Sequence, residues 1–207
     1  KLKYEKQLLG LYLTDNPLLK YEKDLKEFTS LKQQVNIQNS RIQVGGIITD
    51  IKWRFDKNGN KWALVTFDIL SKTLQVYIFH DAYTRYLDLI VEDQMCFIIG
   101  RTFDDGESEL LSRIVVDKIY KLKNLRNTIT KHINIQISYL QNNEKFLEEI
   151  NQIHKGAPGY VSIILHLRTK NGRAQKVLLN QIKLSCDDSI LLKLRALAGE
   201  KNVWLSI

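Results

Sequence analysis

The sequence predicts a mixed protein: an all-β barrel preceded by two helices and followed by a small α+β sandwich domain. Three observations carry this expectation. Between Arg41 and Tyr120, β-branched and aromatic runs break at turn residues roughly every ten positions, as a series of short strands requires. Within that stretch His80–Val91 switches to helical spacing, through Tyr83, Tyr86, Leu87 and Ile90. Beyond His132 the order becomes strand, helix, hairpin, helix, strand, which suits one sheet covered on one face.

The elements justify themselves in order. In the helical segment 1–40, Lys1–Leu13 sets Leu2, Leu9 and Leu13 with Leu8 and Tyr12 along one helix face. Thr14-Asp15-Asn16 breaks it, and Pro17 opens a second helix in which Leu18, Tyr21, Leu25 and Phe28 line up. Arg41–Phe55 and Lys61–Leu70 flank Asp56–Asn60, where Asn58-Gly59 supplies the positive φ angles of a hairpin turn. Thr73–Phe79 is a third strand. After the helix come Gln94–Phe103, a turn at Asp104-Asp105-Gly106, and Glu109–Tyr120. Three strands, a helix and two strands give the order of an OB-fold, the Greek-key barrel that often holds single-stranded nucleic acid.

Residues 121–131 are basic without a sustained period and read as a linker between domains 41–120 and 132–207. In the latter, His132–Tyr139 alternates as a strand and Asn142–His154 follows as a helix. Tyr160–Leu167 and Arg173–Leu179 form a hairpin about Lys170-Asn171-Gly172, and Gln181–Leu184 reads as a short further strand. Asp187–Ala198 is a helix begun by a capping box at Ser185–Asp188 and closed by Gly199, and Asn202–Ile207 is the last strand.

Composition bounds the function. The chain has 207 residues, 44% of them hydrophobic, with no apolar run approaching the ~20 residues of a membrane span, so a cytoplasmic protein without a membrane partner is expected. The net charge of +8 is uneven: residues 1–40 carry +2, 41–120 carry −2 and 121–207 carry +8. A surface on the barrel that meets phosphate must therefore be local.

Alternation locates that surface. With Val65, Phe67, Leu74, Val76, Ile78, Val44, Gly46 and Ile48 inward, the outer face receives Trp53, Trp62 and Tyr77, near Lys52, Arg54, Lys57 and Lys61. Arg101 on a later strand completes the candidate nucleic-acid-binding set. Aromatic platforms interleaved with cations hold single strands without regard to sequence, because every base has a π-face and every linkage a charge. The same tryptophans could instead pack under the helices of residues 1–40, and the acidic loop Phe103–Glu107 would repel phosphate.

Catalytic chemistry finds no support. Asp104-Asp105-Gly106 is a turn signature, and Asp187-Asp188 belongs to a helix start. Cys96 and Cys186 lie far apart, and His80, His132, His154 and His166 stand at no metal-ligand spacing. Neither a catalytic residue nor a cofactor or metal is expected in this segment.

A family resemblance sharpens the reading. Val44-Gly45-Gly46-Ile47-Ile48, the Lys57-Asn58-Gly59 turn, Val65-Thr66-Phe67-Asp68, Val76-Tyr77-Ile78-Phe79, Tyr83-x-x-Tyr86 and Ile98-Ile99-Gly100-Arg101 resemble the OB domain of the bacterial replicative DNA polymerase III alpha subunit. Tyr4 through Leu13 with Pro17-Leu18 and Tyr21 resemble the stretch that precedes that domain, with Thr14-Asp15-Asn16-Pro17 departing from the family's usual His-Pro ending. Gly156 through Leu167, Arg173 through Leu179 and Ser185 through Val203 resemble the carboxyl-terminal domain of the same subunit, with Gly159-Tyr160-Val161 where Pro-Val is usual.

The resemblance implies a parent that is a DNA-directed DNA polymerase, a nucleotidyltransferase whose magnesium-binding carboxylates lie outside this segment. Residues 1–40 would end the preceding polymerase domain. The OB domain would hold single-stranded template, and the last domain would contact the tau subunit of the clamp loader, among the other subunits of the replicase. The alternative is a protein-only interaction module, and a stand-alone nucleic-acid-binding protein also fits the composition.

Overall fold

The computed structural model describes residues 16–30, 40–102, 113–138, 143–168 and 174–207. The expected helix at 1–13, the turn at 104–106 and the Lys170-Asn171-Gly172 turn lie outside them. The chain divides into two compact units, Lys1–Leu125 and Arg126–Ile207.

The first unit is built on a closed barrel. Its strands are β1 (Arg41–Phe55), β2 (Lys61–Asp68), β3 (Thr73–Ile78), β4 (Met95–Thr102) and β5 (Arg113–Lys121), in the order β1-β2-β3-β5-β4. The fifteen residues of β1 serve two partners: Arg41–Ile47 pair with β4 and Ile47–Phe55 with β2. A short parallel ladder from Gln75–Tyr77 to Arg113–Val115 closes the ring. This is the OB barrel that the strand order predicts.

Phe67, Leu74, Val76, Ile78, Ile98 and Ile114 fill the interior, each at most 1% exposed. Helix α2 (His80–Tyr86) runs into a 3₁₀ turn at Leu87–Leu89 and packs Ala82, Tyr83, Tyr86, Leu89 and Ile90 against that core. The tighter turn shifts the helical face, so Leu87, expected on the apolar side, is exposed.

Helix α1 (Glu22–Phe28) follows a 3₁₀ turn at Leu19–Tyr21 and buries Leu25 and Phe28, with Leu18 also buried. It lies over the β1–β4 side of the barrel. A Cβ on Gly45 would stand 2.2 Å from Leu25 Cδ2 and 3.3 Å from Phe97 and Leu122 carbons. Gly45 therefore admits the helix from outside. The next residue does the converse: a Cβ on Gly46 would meet the Asp68 carbonyl oxygen at 2.4 Å and the Phe67 ring at 2.7 Å.

The expected linker is structured. Residues 122–124 form a 3₁₀ turn, and Leu125–Ile129 form α3, with Leu122, Leu125 and Ile129 buried. Those three positions follow helical spacing, obscured in the sequence by an intervening lysine, an arginine and polar residues.

The second unit is a four-stranded sheet in the order β8-β7-β6-β9, formed by β6 (His132–Ser138), β7 (Pro158–Arg168), β8 (Ala174–Leu184) and β9 (Val203–Ser206). Strands β6 and β7 run parallel and the other neighbours antiparallel. Helices α4 (Asn143–Gly156) and α5 (Asp188–Ala198) touch each other and cover one face, α4 over β7 and β8, α5 over β6 and β9. Phe146, Ile150, Ile190, Leu191 and Leu194 meet Ile133, Ile135, Ile163 and Leu165 in that core, all at most 4% exposed.

Two local expectations change. Residues 181–184 continue β8, because a bulge advances the register from Ile163↔Leu179 to Ser162↔Lys183. The capping box is not made: Asp187 offers no side-chain cap, Ser185 bonds with Asp187, and Asp188 pairs with Arg126 at 2.7 Å.

The cysteines are ordinary buried thiols, as their lack of spacing suggested. Burial pushes Cys96 up to about 12 and Cys186 up to about 11. At pH 8 a pKa near 11 leaves about one thiol in a thousand as thiolate. Native protein is accordingly expected to take up almost no iodoacetamide at pH 8 and two equivalents after unfolding in urea, read by mass. Rapid modification of the folded chain would contradict the burial.

Candidate nucleic-acid interface

The β1–β2 hairpin sets the site. Asp56 Oδ1 accepts from the backbone N–H groups of Asn58 and Asn60 at 2.8 Å each, and Oδ2 accepts from the Asn60 amide at 2.9 Å. Gly59 takes the expected positive φ, +81°, but Asn58 does not share it: in this longer loop the Asp56 carboxylate holds the turn, and the glycine alone is left-handed. Chiefly the Asn60 side-chain amide, with its backbone N–H, holds the Asp56 carboxyl below its ordinary range, so it stays ionised at neutral pH. Its charge is occupied by the turn, and Lys57 projects beside it, exposed.

A bulge within β1 then decides which side chains share a face. Ile48 pairs with Phe67 and Asp50 with Thr66, leaving Thr49 without a counterpart. The extra residue inverts the alternation beyond it. Ile51 and Trp53 thus pair with the buried Val65 and Ala63, whereas Lys52 and Arg54 pair with Leu64 and Trp62 on the outer face.

The expected single cluster is consequently two. Strict alternation set Ile51 and Trp53 outside; instead Ile51 packs against the core and Trp53 stands at the barrel rim beside α2. There the Trp53 ring meets Tyr83 edge-on at 5.7 Å, and Lys61 Nζ lies 4.6 Å from the Trp53 centroid and 5.8 Å from that of Tyr83. This is a cation–π group at the root of the hairpin.

The outer face holds the larger group. Trp62 and Tyr77 lie 6.0 Å apart with planes 15° from parallel, and Phe79 sits 5.5 Å from Trp62 and 6.1 Å from Tyr77. Phe79 is 44% exposed, while Trp62 and Tyr77 are half-buried. Lys52 and Arg54 flank these rings from the neighbouring strand, both exposed. Arg101 shares the face through Tyr77↔Val115 and Val115↔Arg101, but its guanidinium is engaged by Asp117 at 3.2 Å.

So the structure gathers Trp62, Tyr77, Lys52 and Arg54, with Arg101 at the edge, and separates Trp53 and Lys61 from them. Alternation turns Phe79 to the outer face as well, but it was not among the candidate residues. Tyr83 was assigned to a helix face, and nothing local signals its contact with Trp53. The described helix α1 packs at Gly45 and Phe97, away from Trp62, Tyr77 and Phe79. The acidic loop expected at 103–107 lies outside the described residues. Among the described residues no cluster of His, Cys, Asp and Glu suits a metal ion, and no helix is long and apolar enough to cross a membrane.

No family model matches the chain. Curated relatives match it along nearly its whole length. The DNA polymerase III subunit alpha of Borreliella burgdorferi is 28% identical over 99% of this chain, and that of Vibrio cholerae 27% over 99%. The Escherichia coli K12 subunit is 26% identical over 97%. The chain spans 18% of the length of each of these relatives. Among solved structures, the mitochondrial single-stranded DNA binding protein Rim1 of S. cerevisiae aligns at 12% identity over 41% of this chain and 96% of its own, with TM-score 0.34. A replication protein A heterotrimer bound to single-stranded DNA aligns at 13% identity over 71% of this chain and 36% of its own, with TM-score 0.35.

Proposed function

We propose that this chain is the carboxyl-terminal region of a bacterial replicative DNA polymerase alpha subunit, in which the barrel holds the single-stranded template. Similarity to polymerase III alpha subunits over 97–99% of the chain supports the first half of the reading. One observation carries the second: Trp62, Tyr77 and Phe79 form an aromatic platform on the outer face of an OB barrel, flanked by Lys52 and Arg54. Rings take base faces and the cations take phosphates, so binding is sequence-tolerant and salt-sensitive. Lys57 extends the cationic side along the hairpin.

In this reading the polymerase chemistry, with its magnesium-binding carboxylates, belongs to the remainder of the parent subunit. The second unit serves as the tether to the clamp-loader tau subunit and so to the rest of the replicase, and its surplus of positive charge is compatible with an acidic partner surface. A pull-down of tau by the full chain, lost on deleting residues 132–207, tests that part.

The barrel reading is tested by anisotropy of a labelled oligothymidine. The full chain is expected to bind at low salt, with log affinity falling linearly in log salt and the barrel contributing about two or three phosphate contacts to the slope. Absence of binding at low salt removes the template role and leaves the protein-only module.

A further inference from the structure

The sheet of the second unit has two unlike faces. The one beneath α4 and α5 is aliphatic and buried. The other carries a polar and aromatic group fixed by hydrogen bonds. His166 and Trp204 rings lie 4.8 Å apart, inclined at 43°. The two rings flank Asn134, which is 4% exposed, accepts from His166 Nε2 at 2.9 Å, and donates through Nδ2 to Ser206 Oγ at 2.9 Å. The buried amide is thus satisfied on both sides and holds the imidazole in place.

Charge on this face has one sign. Lys176 stands across from His166 and Lys183 across from Ser162, both exposed. None of β6, β7, β8 or β9 contains an aspartate or a glutamate. Residues 121–207 carry the whole +8 surplus of the chain.

We propose that this open face is a second platform for single-stranded nucleic acid, with the His166–Trp204 pair stacking a base and Lys176 and Lys183 meeting the phosphates. The inference stands apart from the barrel reading, since it rests on different residues in a different unit. Its occupant follows from chemistry. A strand spacing of about 4.8 Å makes four strands roughly 15 Å wide, room for two or three bases laid on a sheet. The side-chain amide of Gln136, paired in register with His166, supplies hydrogen bonds that a base edge can use. An acidic protein would meet the same lysines but would need an apolar centre, and this face offers chiefly Ile164 and Leu178.

The test uses the full chain and an oligothymidine of about 30 nucleotides, longer than the roughly 4–16 that one barrel covers. Lys176→Glu with Lys183→Glu is expected to weaken binding about tenfold and to flatten the salt slope by about two. Trp204→Ala is expected to weaken it severalfold, and Trp204→Phe, which keeps a ring, to restore it. Far-UV circular dichroism reports folding, and the exposed lysine pair keeps the test sound should Trp204→Ala unfold the unit. Parental binding by the lysine variant, with binding lost in Trp62→Ala, Phe79→Ala, overturns the inference and leaves the barrel reading intact. Binding that falls with the lysines but is indifferent to Trp204 overturns the stacking platform.

Discussion

Replacing Trp62 and Phe79 together with alanine is expected to weaken oligothymidine binding by the full chain at least thirtyfold, because each base stacked on a ring contributes roughly 1–3 kcal/mol. The pair is chosen from geometry: both rings stand on the outer face, 5.5 Å apart, beside Tyr77. Trp53→Ala is expected to cost less. Its ring sits at the rim between Tyr83 and Lys61, so its removal loosens the hairpin root before it removes a stacking surface. Arg54→Gln should leave stacking intact and reduce the salt slope by about one. Anisotropy at two salt concentrations separates the three. If Trp53→Ala weakens binding more than the Trp62, Phe79 pair does, the bases run along the rim and the outer-face platform is wrong.

The second large effect concerns the barrel itself. Phe67 is 1% exposed at the centre of the first unit's core, and Phe67→Ala is expected to destabilise that unit by about 3–5 kcal/mol. A domain of ordinary stability has only about 5–15 kcal/mol in hand, so the urea midpoint should fall sharply. Gly46→Ala attacks the same contact from the other side. The added methyl would press on the Asp68 carbonyl and the Phe67 ring, and the carbonyl cannot retreat without disturbing the β1–β2 ladder. About 1–3 kcal/mol is the expected cost of such overpacking. Urea unfolding followed by tryptophan fluorescence, with Trp53 and Trp62 both in this unit, measures both variants. A Gly46→Ala chain as stable as its parent would show that the strands can part at this point.

The two glycines illustrate how much could be foreseen. Alternation turned Gly46 inward, yet only the packed molecule assigns Gly45 to Leu25 outside and Gly46 to Phe67 inside. The candidate face was legible in part: alternation turned Trp62 and Tyr77 outward together, whereas Lys52 and Arg54 reach that face only through the bulge at Thr49. Trp53 was misplaced by one inserted residue. Alternation is a local rule with a period of two, and a bulge at Thr49 reverses it without changing composition or hydrophobicity.

By itself the sequence determined the kind and order of the elements, because backbone preference and hydrophobic period are properties of neighbouring residues. Asn58-Gly59 fixed the first hairpin, the spacing through Tyr83 and Tyr86 fixed a helix between strands, and β1 was bounded correctly at Arg41 and Phe55. Tertiary structure alone decided the rest: the parallel closure of β3 on β5, the seat of α1 on Gly45, the helical character of residues 122–129, and the pairing of His166 with Trp204 over Asn134. The first, second and last of these join residues tens of positions apart, and the helical turns of 122–129 show only in the burial of Leu122, Leu125 and Ile129. Their energy comes from buried contact between elements, and that contact exists only once the chain has folded.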